Sequence, residues 1–411
     1  MSEGDALSSL TQLRVRITAL GGAIVLILAA GVWIAMTHAS ADSDPTTAAR
    51  HGVKPSASPA AKAPAGPLQL VSVTPSSDAT GINGAADIKI QFSAPLAAGS
   101  PRPTISPSVR GSWQGAGTSS LEFVPAAAFR QYSRVTVKIP GGLLGVRSAS
   151  GSLLLHTKVI HFRTGGYRPA RLDQLLAQLG YLPLTWTPAP GASAPAATDA
   201  LGQLSAAYSP PPGSYSWEPG YPSQLRAFWQ GGASSGLIIK GAVMAFEFDH
   251  GIVMDGVAGP QVWRALLKAV GAGQRNANGY TYAIAREANP ETLTIWHNGR
   301  KVLRVLANTG IPVAPTTLGT DPVYVRYRNQ IMKGTNPDGS KYADPVQFVA
   351  YFRAGEAVHY FPRGSYGSPQ SLGCVELDLN DAARAWPYLT YGSLVTVARG
   401  ALTPASSPVA N

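Results

Sequence analysis

The chain begins with a run that has no polar face. From Ala19 to Met36 no residue is charged, and as a helix that stretch rises about 27 Å, nearly the depth of a bilayer's hydrocarbon core. Arg14 and Arg16 come before it, and Asp42 and Asp44 after it. The positive-inside bias then predicts a cytoplasmic tail over 1–18, a transmembrane helix or signal anchor over 19–37, and an extracytoplasmic remainder on a single-pass protein of the cell membrane. The small-x-small triplet Ala39-Ser40-Ala41 adds an alternative, secretion after cleavage at Ala41. Residues 38–67 are rich in Pro, Ala and Ser, a composition that favours polyproline II and buries no core, so they predict a linker. Residues 400–411 read as a disordered tail.

Beyond the linker, apolar and polar positions alternate. Ile88-Lys89-Ile90-Gln91-Phe92, Leu121-Glu122-Phe123 and Val135-Thr136-Val137-Lys138-Ile139 are separated by Pro, Gly and Ser, and predict half-buried strands of a β-sandwich over 68–164. His156 and His161 have no acidic or thiol partner pattern and read as ordinary strand histidines. The period then changes. Leu172, Leu175, Leu176 and Leu179 fall on one helical face that Gly180 ends, a second helical stretch runs through Ala242, Met244 and Phe246, and Pro260 suits the start of a helix burying Val262, Trp263 and Leu266. These predict a small helical domain over 167–272, interrupted by a Pro/Ser/Ala/Gly-rich insertion over 184–236. Alternation returns in 280–399, with a hairpin signal at His297-Asn298-Gly299-Arg300 and strands near Val323–Tyr327 and Val346–Phe352. The Gly/Asp/Lys-rich stretch from Arg328 to Pro345 predicts an irregular lid within this mostly-β unit.

Composition narrows the class. A chain of 411 residues with 45% hydrophobic and 13% charged positions is multidomain and folded, although 44 Gly and 34 Pro require long loops. The net charge of +11 favours polyanionic surroundings. No Lys/Arg cluster sits among aromatic residues and no zinc-ligand spacing occurs, so nucleic acid is not an expected partner and no metal or organic cofactor is implied. Arg326, Arg328, Lys333, Lys341 and Arg363 could meet substrate carboxylates but read as solvated surface charge.

The single cysteine is the sharpest chemical signal. One thiol forms no internal disulfide, so Cys374 is a buried small hydrophobe, an intermolecular bridge or a reactive centre. Gly373 before it lets a carbonyl approach the backbone, whose N–H groups could stabilise an oxyanion. His359, at the end of the strand-like run Gly355-Glu356-Ala357-Val358, could raise the thiolate fraction at neutral pH, and the Pro/Gly-rich stretch Phe361 to Gln370 suits a loop that brings the two together.

His359, this loop, Ser371, Gly373, Cys374 and Val375, with Asn308-Thr309-Gly310 and the Pro315–Gly319 turn, resemble the catalytic domain of L,D-transpeptidases. The chain departs from the family's pattern at Leu372, where a second histidine is usual, and at Glu376, where Arg or Asn is common. The resemblance implies peptidoglycan stem peptides as substrates, a Cys374 thioester, and 3→3 cross-links. It implies Cys374 as nucleophile, His359 as general acid/base, the Gly373 N–H at the oxyanion and Ser371 as a loop-orienting group. It also implies acylation of the cysteine by carbapenems. Alternatives are an L,D-carboxypeptidase of the same fold and an inactive wall-binding scaffold. The 68–164 region resembles bacterial Ig-like domains. Leu179-Gly180-Tyr181 and Asp255-Gly256 through Trp263 resemble the two ends of helical peptidoglycan-binding domains, which implies glycan as a further partner. The expected whole is multidomain and mainly β.

Overall fold

Ile88, Ile90 and Phe92 are buried while Lys89 points outward, which makes β2 (Ile88–Phe92) a strand with one core face. The computed structural model describes residues 66–231 and 236–400; the expected tail, membrane segment, linker up to residue 65 and C-terminal tail from residue 401 lie outside the described residues. Among the described residues, no helix is long and apolar enough to cross a membrane. β1 (Leu70–Thr74), β2, β5 (Ser120–Pro125) and β4 (Gly111–Gln114) form one antiparallel sheet in the order β1-β2-β5-β4. β3 (Thr104–Ser106), β6 (Arg134–Ile139) and β7 (Lys158–Arg163) form the other. Their inner faces enclose one core, with Phe92, Leu121, Val135 and Val137 at its centre. His161 lies on β7 and bonds Thr136 at 3.0 Å, whereas His156 falls in the exposed bend before that strand rather than in it.

The helical region begins with α1 (Pro169–Gln178), which buries Leu172, Leu175 and Leu176, and Gly180 turns the chain at φ +79°. The insertion is ordered over residues 184–231. β8 (Leu184–Pro188) pairs with β9 (Gly213–Trp217) around α2 (Ala200–Tyr208), and α3 (Ser223–Arg226) follows. Leu184, Ala207, Tyr221 and Leu225 join the helical core, and polar contacts add to that order: buried Arg171 donates to Gln174 at 2.9 Å and to Gln203 of α2 at 2.6 Å, and Tyr208 donates to the Phe129 carbonyl of the sandwich at 2.8 Å. α4 (Leu237–Asp249) and α5 (Pro260–Gly271) complete the layer, and Glu247 accepts from the Gly256 N–H at 2.9 Å.

The last region packs two sheets. β10 (Thr281–Glu287), β11 (Thr292–His297), β12 (Arg300–Leu306), β13 (Gly319–Pro322) and β18 (Leu394–Arg399) make the five-stranded sheet β12-β11-β10-β18-β13. β14 (Val325–Thr335), β15 (Lys341–Arg353), β16 (Glu356–Tyr360) and β17 (Val375–Leu377) make the second, with α6 (Leu379–Ala385) after it. Alternation along β10 lets one strand serve two cores: Tyr282 and Ile284 join the helical cluster, Ala283 and Ala285 the core between the sheets. α4 crosses the turn before β18 at backbone contact, where a side chain on Gly241 or Gly392 would strike the other's carbonyl. The expected irregular lid is instead a regular hairpin, paired from Val325 opposite Tyr351 to Thr335 opposite Lys341. Backbone pairing needs no apolar side chain, so a polar sequence can extend a hairpin whose root, at Val349 and Ala350, is buried.

Candidate active site

β16 and β17 run parallel, with Val358 opposite Val375, His359 opposite Glu376 and Tyr360 opposite Leu377. Alternation sends Val358, Val375 and Leu377 into the core between the sheets. Ala357, His359 and Glu376 take the other face, and Cys374, just before β17, packs there in the cluster of Val346, Val349 and Ala357. Cys374 is thus in line with Ala357, and His359 is its diagonal neighbour on the same face. Both side chains line one pocket of about 480 Å³, together with Met332 and Tyr342 of the hairpin, Arg363 and Leu372.

His359 is 3% exposed, and its Nδ1 lies 2.9 Å from the Tyr360 carbonyl oxygen. A carbonyl only accepts, so Nδ1 carries the proton and the Nε2 lone pair is free to take one. Burial pushes the imidazole below its ordinary value of 6.5, against the opposing pull of the Tyr360 carbonyl and Glu376. Burial also pushes the Cys374 thiol up to about 12, with Glu376 and Glu356 adding to the rise and the Ala357 N–H opposing it. At neutral pH the resting pair is therefore a thiol beside a neutral imidazole, not the expected thiolate. The thiol donates to the Gly355 carbonyl at 3.8 Å, and among the described residues no hydrogen bond joins it to His359. This arrangement can transfer the proton as the sulfur attacks, with imidazole as general base.

The loop beneath the thiol is held from three sides. Ser371 is fully buried; its hydroxyl donates to the Cys374 carbonyl at 2.6 Å and accepts from the Gly373 N–H at 3.2 Å. That N–H, the expected oxyanion donor, is thus engaged inside the loop. Gly373 has φ +113°, and a Cβ there would find no neighbour closer than 3.8 Å, so the backbone conformation rather than space demands glycine. The Ser371 N–H donates to the Thr309 carbonyl, Asn308 and Glu376 exchange both backbone hydrogen bonds at 2.9 Å, and Asn308 Oδ1 accepts from the Gly367 N–H. Buried Glu291 in turn accepts from the Thr309 N–H and hydroxyl at 2.7 and 2.8 Å.

The four sequence-predicted positions therefore meet in one place: Cys374 and His359 face the pocket, Ser371 and Gly373 form the turn below. Two expectations about charge change. Arg363 is no solvated cation but a bidentate partner of Glu376, at 2.7 and 2.8 Å, with its guanidinium 4.6 Å from the Phe361 ring centroid. Arg326 lies 3.9 Å from the Trp386 ring centroid and donates to that residue's carbonyl. Sequence reasoning missed Glu291, which no local pattern marks, and Glu356, whose Oε1 accepts from the Thr317 N–H and hydroxyl while its Oε2 is buried without a partner. The one available signal for Glu356 is a carboxylate inside an apolar strand run. Among the described residues, no three His, Cys, Asp or Glu side chains gather to hold a metal ion.

Residues 281–397 match the model of the L,D-transpeptidase catalytic domain. The last region belongs to that family. Residues 64–164 match the bacterial Ig-like domain, and the helical region lies between the two matches. Solved structures similar to the chain include an L,D-transpeptidase from Mycobacterium smegmatis, at 14% identity over 81% of this chain and 99% of that one, with a TM-score of 0.27. L,D-transpeptidase 3 from Mycobacterium tuberculosis, in complex with a faropenem-derived adduct, is similar at 14% identity over 80% and 97%, with a TM-score of 0.27. The catalytic domain of the E. faecium L,D-transpeptidase is similar at 24% identity over 28% and 95%, again with a TM-score of 0.27. No curated protein sequence matches the chain.

Proposed function

We propose that this protein is an extracytoplasmic, wall-associated L,D-transpeptidase that forms 3→3 cross-links through a thioester on Cys374. The observation that carries the reading is His359, its tautomer set by the Tyr360 carbonyl, sharing a pocket and a strand-pair face with the only thiol of the chain. In the first half-reaction Cys374 Sγ attacks the carbonyl at the L-centre of diaminopimelate in a donor tetrapeptide. His359 Nε2 takes the thiol proton and delivers it to the nitrogen of the departing D-alanine, leaving a thioester and a neutral imidazole. The Cys374 N–H faces the developing oxyanion, joined by the Gly373 N–H once it leaves Ser371. Each such donor lowers the barrier by about 3 kcal/mol. In the second half-reaction an acceptor side-chain amine attacks the thioester, His359 takes its proton, and the thiol is regenerated. The hairpin β14–β15 shields the thioester from water. The apolar run 19–36 anchors the chain outside the cytoplasm, and the helical region contributes wall affinity.

Incubation of the protein with a disaccharide tetrapeptide tests the reading. A cross-linked dimer, absent with Cys374→Ala, is the expected product. Tripeptide alone would make the protein an L,D-carboxypeptidase, and no turnover would make it a scaffold.

A further inference from the structure

One end of the Ig-like region carries three exposed leucines on adjoining loops. Leu143 is 84% exposed, Leu144 93% and Leu155 56%. The loops are joined, since the Gly142 N–H donates to the Leu154 carbonyl and the Gly141 N–H to Thr157. Cations surround them: Lys138 and Lys158 lie at the paired ends of β6 and β7, Arg147 follows the first loop, and all three are exposed. No Asp or Glu occurs between Glu122 and Asp173. The acids of the region lie away from this tip. Asp78 donates its N–H to the His161 carbonyl, towards the far end of β7, while Asp87 and Glu122 stand with Lys89, whose strand partner is Thr74.

The chain also enters at this tip. The Leu68 N–H donates to the Leu153 carbonyl and Leu68 bridges Leu154, one residue from Leu155. It leaves from the opposite end, where Thr164 bonds Ser133 on the way to Tyr167 and the helical region. The described chain therefore begins, at Gly66, next to these leucines. An anionic polymer would use the cations and leave the leucines in water, and an apolar protein partner would use the leucines and bury the cations unpaired. A bilayer surface with anionic headgroups satisfies both.

We infer that this tip is a membrane-contact surface: Leu143, Leu144 and Leu155 enter the lipid interface, and Lys138, Arg147 and Lys158 meet anionic lipid phosphates. The contact docks the Ig-like region on the membrane and directs the rest of the described chain away from it. A tether of the length of 38–67 makes the encounter intramolecular, so weak insertion is enough. The inference is independent of the chemistry at Cys374.

The test uses the full-length protein with Cys374→Ser and Leu144→Cys, labelled at position 144 with a polarity-sensitive fluorophore. It is reconstituted in phosphatidylcholine vesicles with and without phosphatidylglycerol. The expected result is several-fold stronger quenching by nitroxide-bearing acyl chains when phosphatidylglycerol is present, lost on adding Lys138→Glu and Lys158→Glu. Leu144, Lys138 and Lys158 are exposed, so their substitution leaves the core of the Ig-like region intact, and Cys374→Ser lies in another region. Absence of lipid quenching would overturn the inference, and equal quenching in uncharged vesicles would overturn its charge requirement. Shielding of the fluorophore only by added wall sacculi would assign the tip to a wall polymer instead.

Discussion

The Ig-like sandwich and the sandwich of the catalytic region use the same alternation, yet they bury different things. Among the described residues, the first buries only Ser148 and Thr164 as polar side chains; the second buries His359, Glu376, Ser371, Asn308, Thr309 and Glu291 around one loop. Burying a polar group costs free energy unless it is hydrogen-bonded, so a concentration of such groups, nearly all partnered, marks where a fold spends stability on chemistry. The ion pairs differ in the same way. Lys89 and Glu122 meet in the open at 3.0 Å, whereas Glu376 is almost fully enclosed against Arg363.

Substitutions can break this contrast. The largest effect is expected at His359: His359→Gln removes the proton acceptor and lowers the rate of acylation by about 10²- to 10⁴-fold, read by stopped-flow with a chromogenic β-lactam. Arg363→Ala follows. It leaves Glu376 buried and unpaired, and because Arg363 is itself partly exposed the loss is about 3 kcal/mol, at the low end for a broken buried pair, measured as a shift in urea midpoint. The matching Lys89→Ala leaves that midpoint unchanged; an equal shift there would erase the distinction between the two regions. A smaller change is expected from Glu356→Gln. Its amide oxygen still accepts from Thr317 while one of the charges that raise the thiol is gone, so iodoacetamide alkylates Cys374 roughly three- to tenfold faster at pH 8.

The smallest effect is in stability against pH. His359 has a folded pKa below 6.5, so its contribution is complete above 6.5 and is lost as pH falls below it, where the unfolded chain takes up the proton more readily. Cys374 is the mirror case. Raised from 9.0 to about 12, it keeps its proton in the native state where the unfolded chain loses it, so its contribution is complete below pH 9 and lost as pH rises past 9. Thermal unfolding of wild type and Cys374→Ala should therefore converge above pH 9.

How far such features can be read beforehand depends on how local they are. β2, β6 and α1 are legible because their apolar spacing lies within a few residues, and Asn298-Gly299, both at positive φ, gave away a tight hairpin. Cys374 and His359 stood out as the only thiol and the histidine before a Pro/Gly loop. The pairing of Glu376 with Arg363 was not legible, because the two are separated by a loop whose path is set by Asn308 and Glu291, far away in sequence. The parallel alignment of β16 with β17, which brings the imidazole diagonal to the sulfur, is likewise a long-range choice. The ordered insertion was hidden by its composition, since the residues that tie it down, Leu184, Tyr221 and Leu225 in the helical core and Gln203 bonded to Arg171, are scattered without periodicity.

The central claim is that Cys374, although protonated at rest, is an acyl acceptor activated by His359. Intact-mass spectrometry of the full chain after exposure to a carbapenem tests it most directly. The account predicts one covalent adduct on the wild type, a much slower one on His359→Gln, and none on Cys374→Ala. An unmodified wild type, or an adduct that persists on Cys374→Ala, would contradict it.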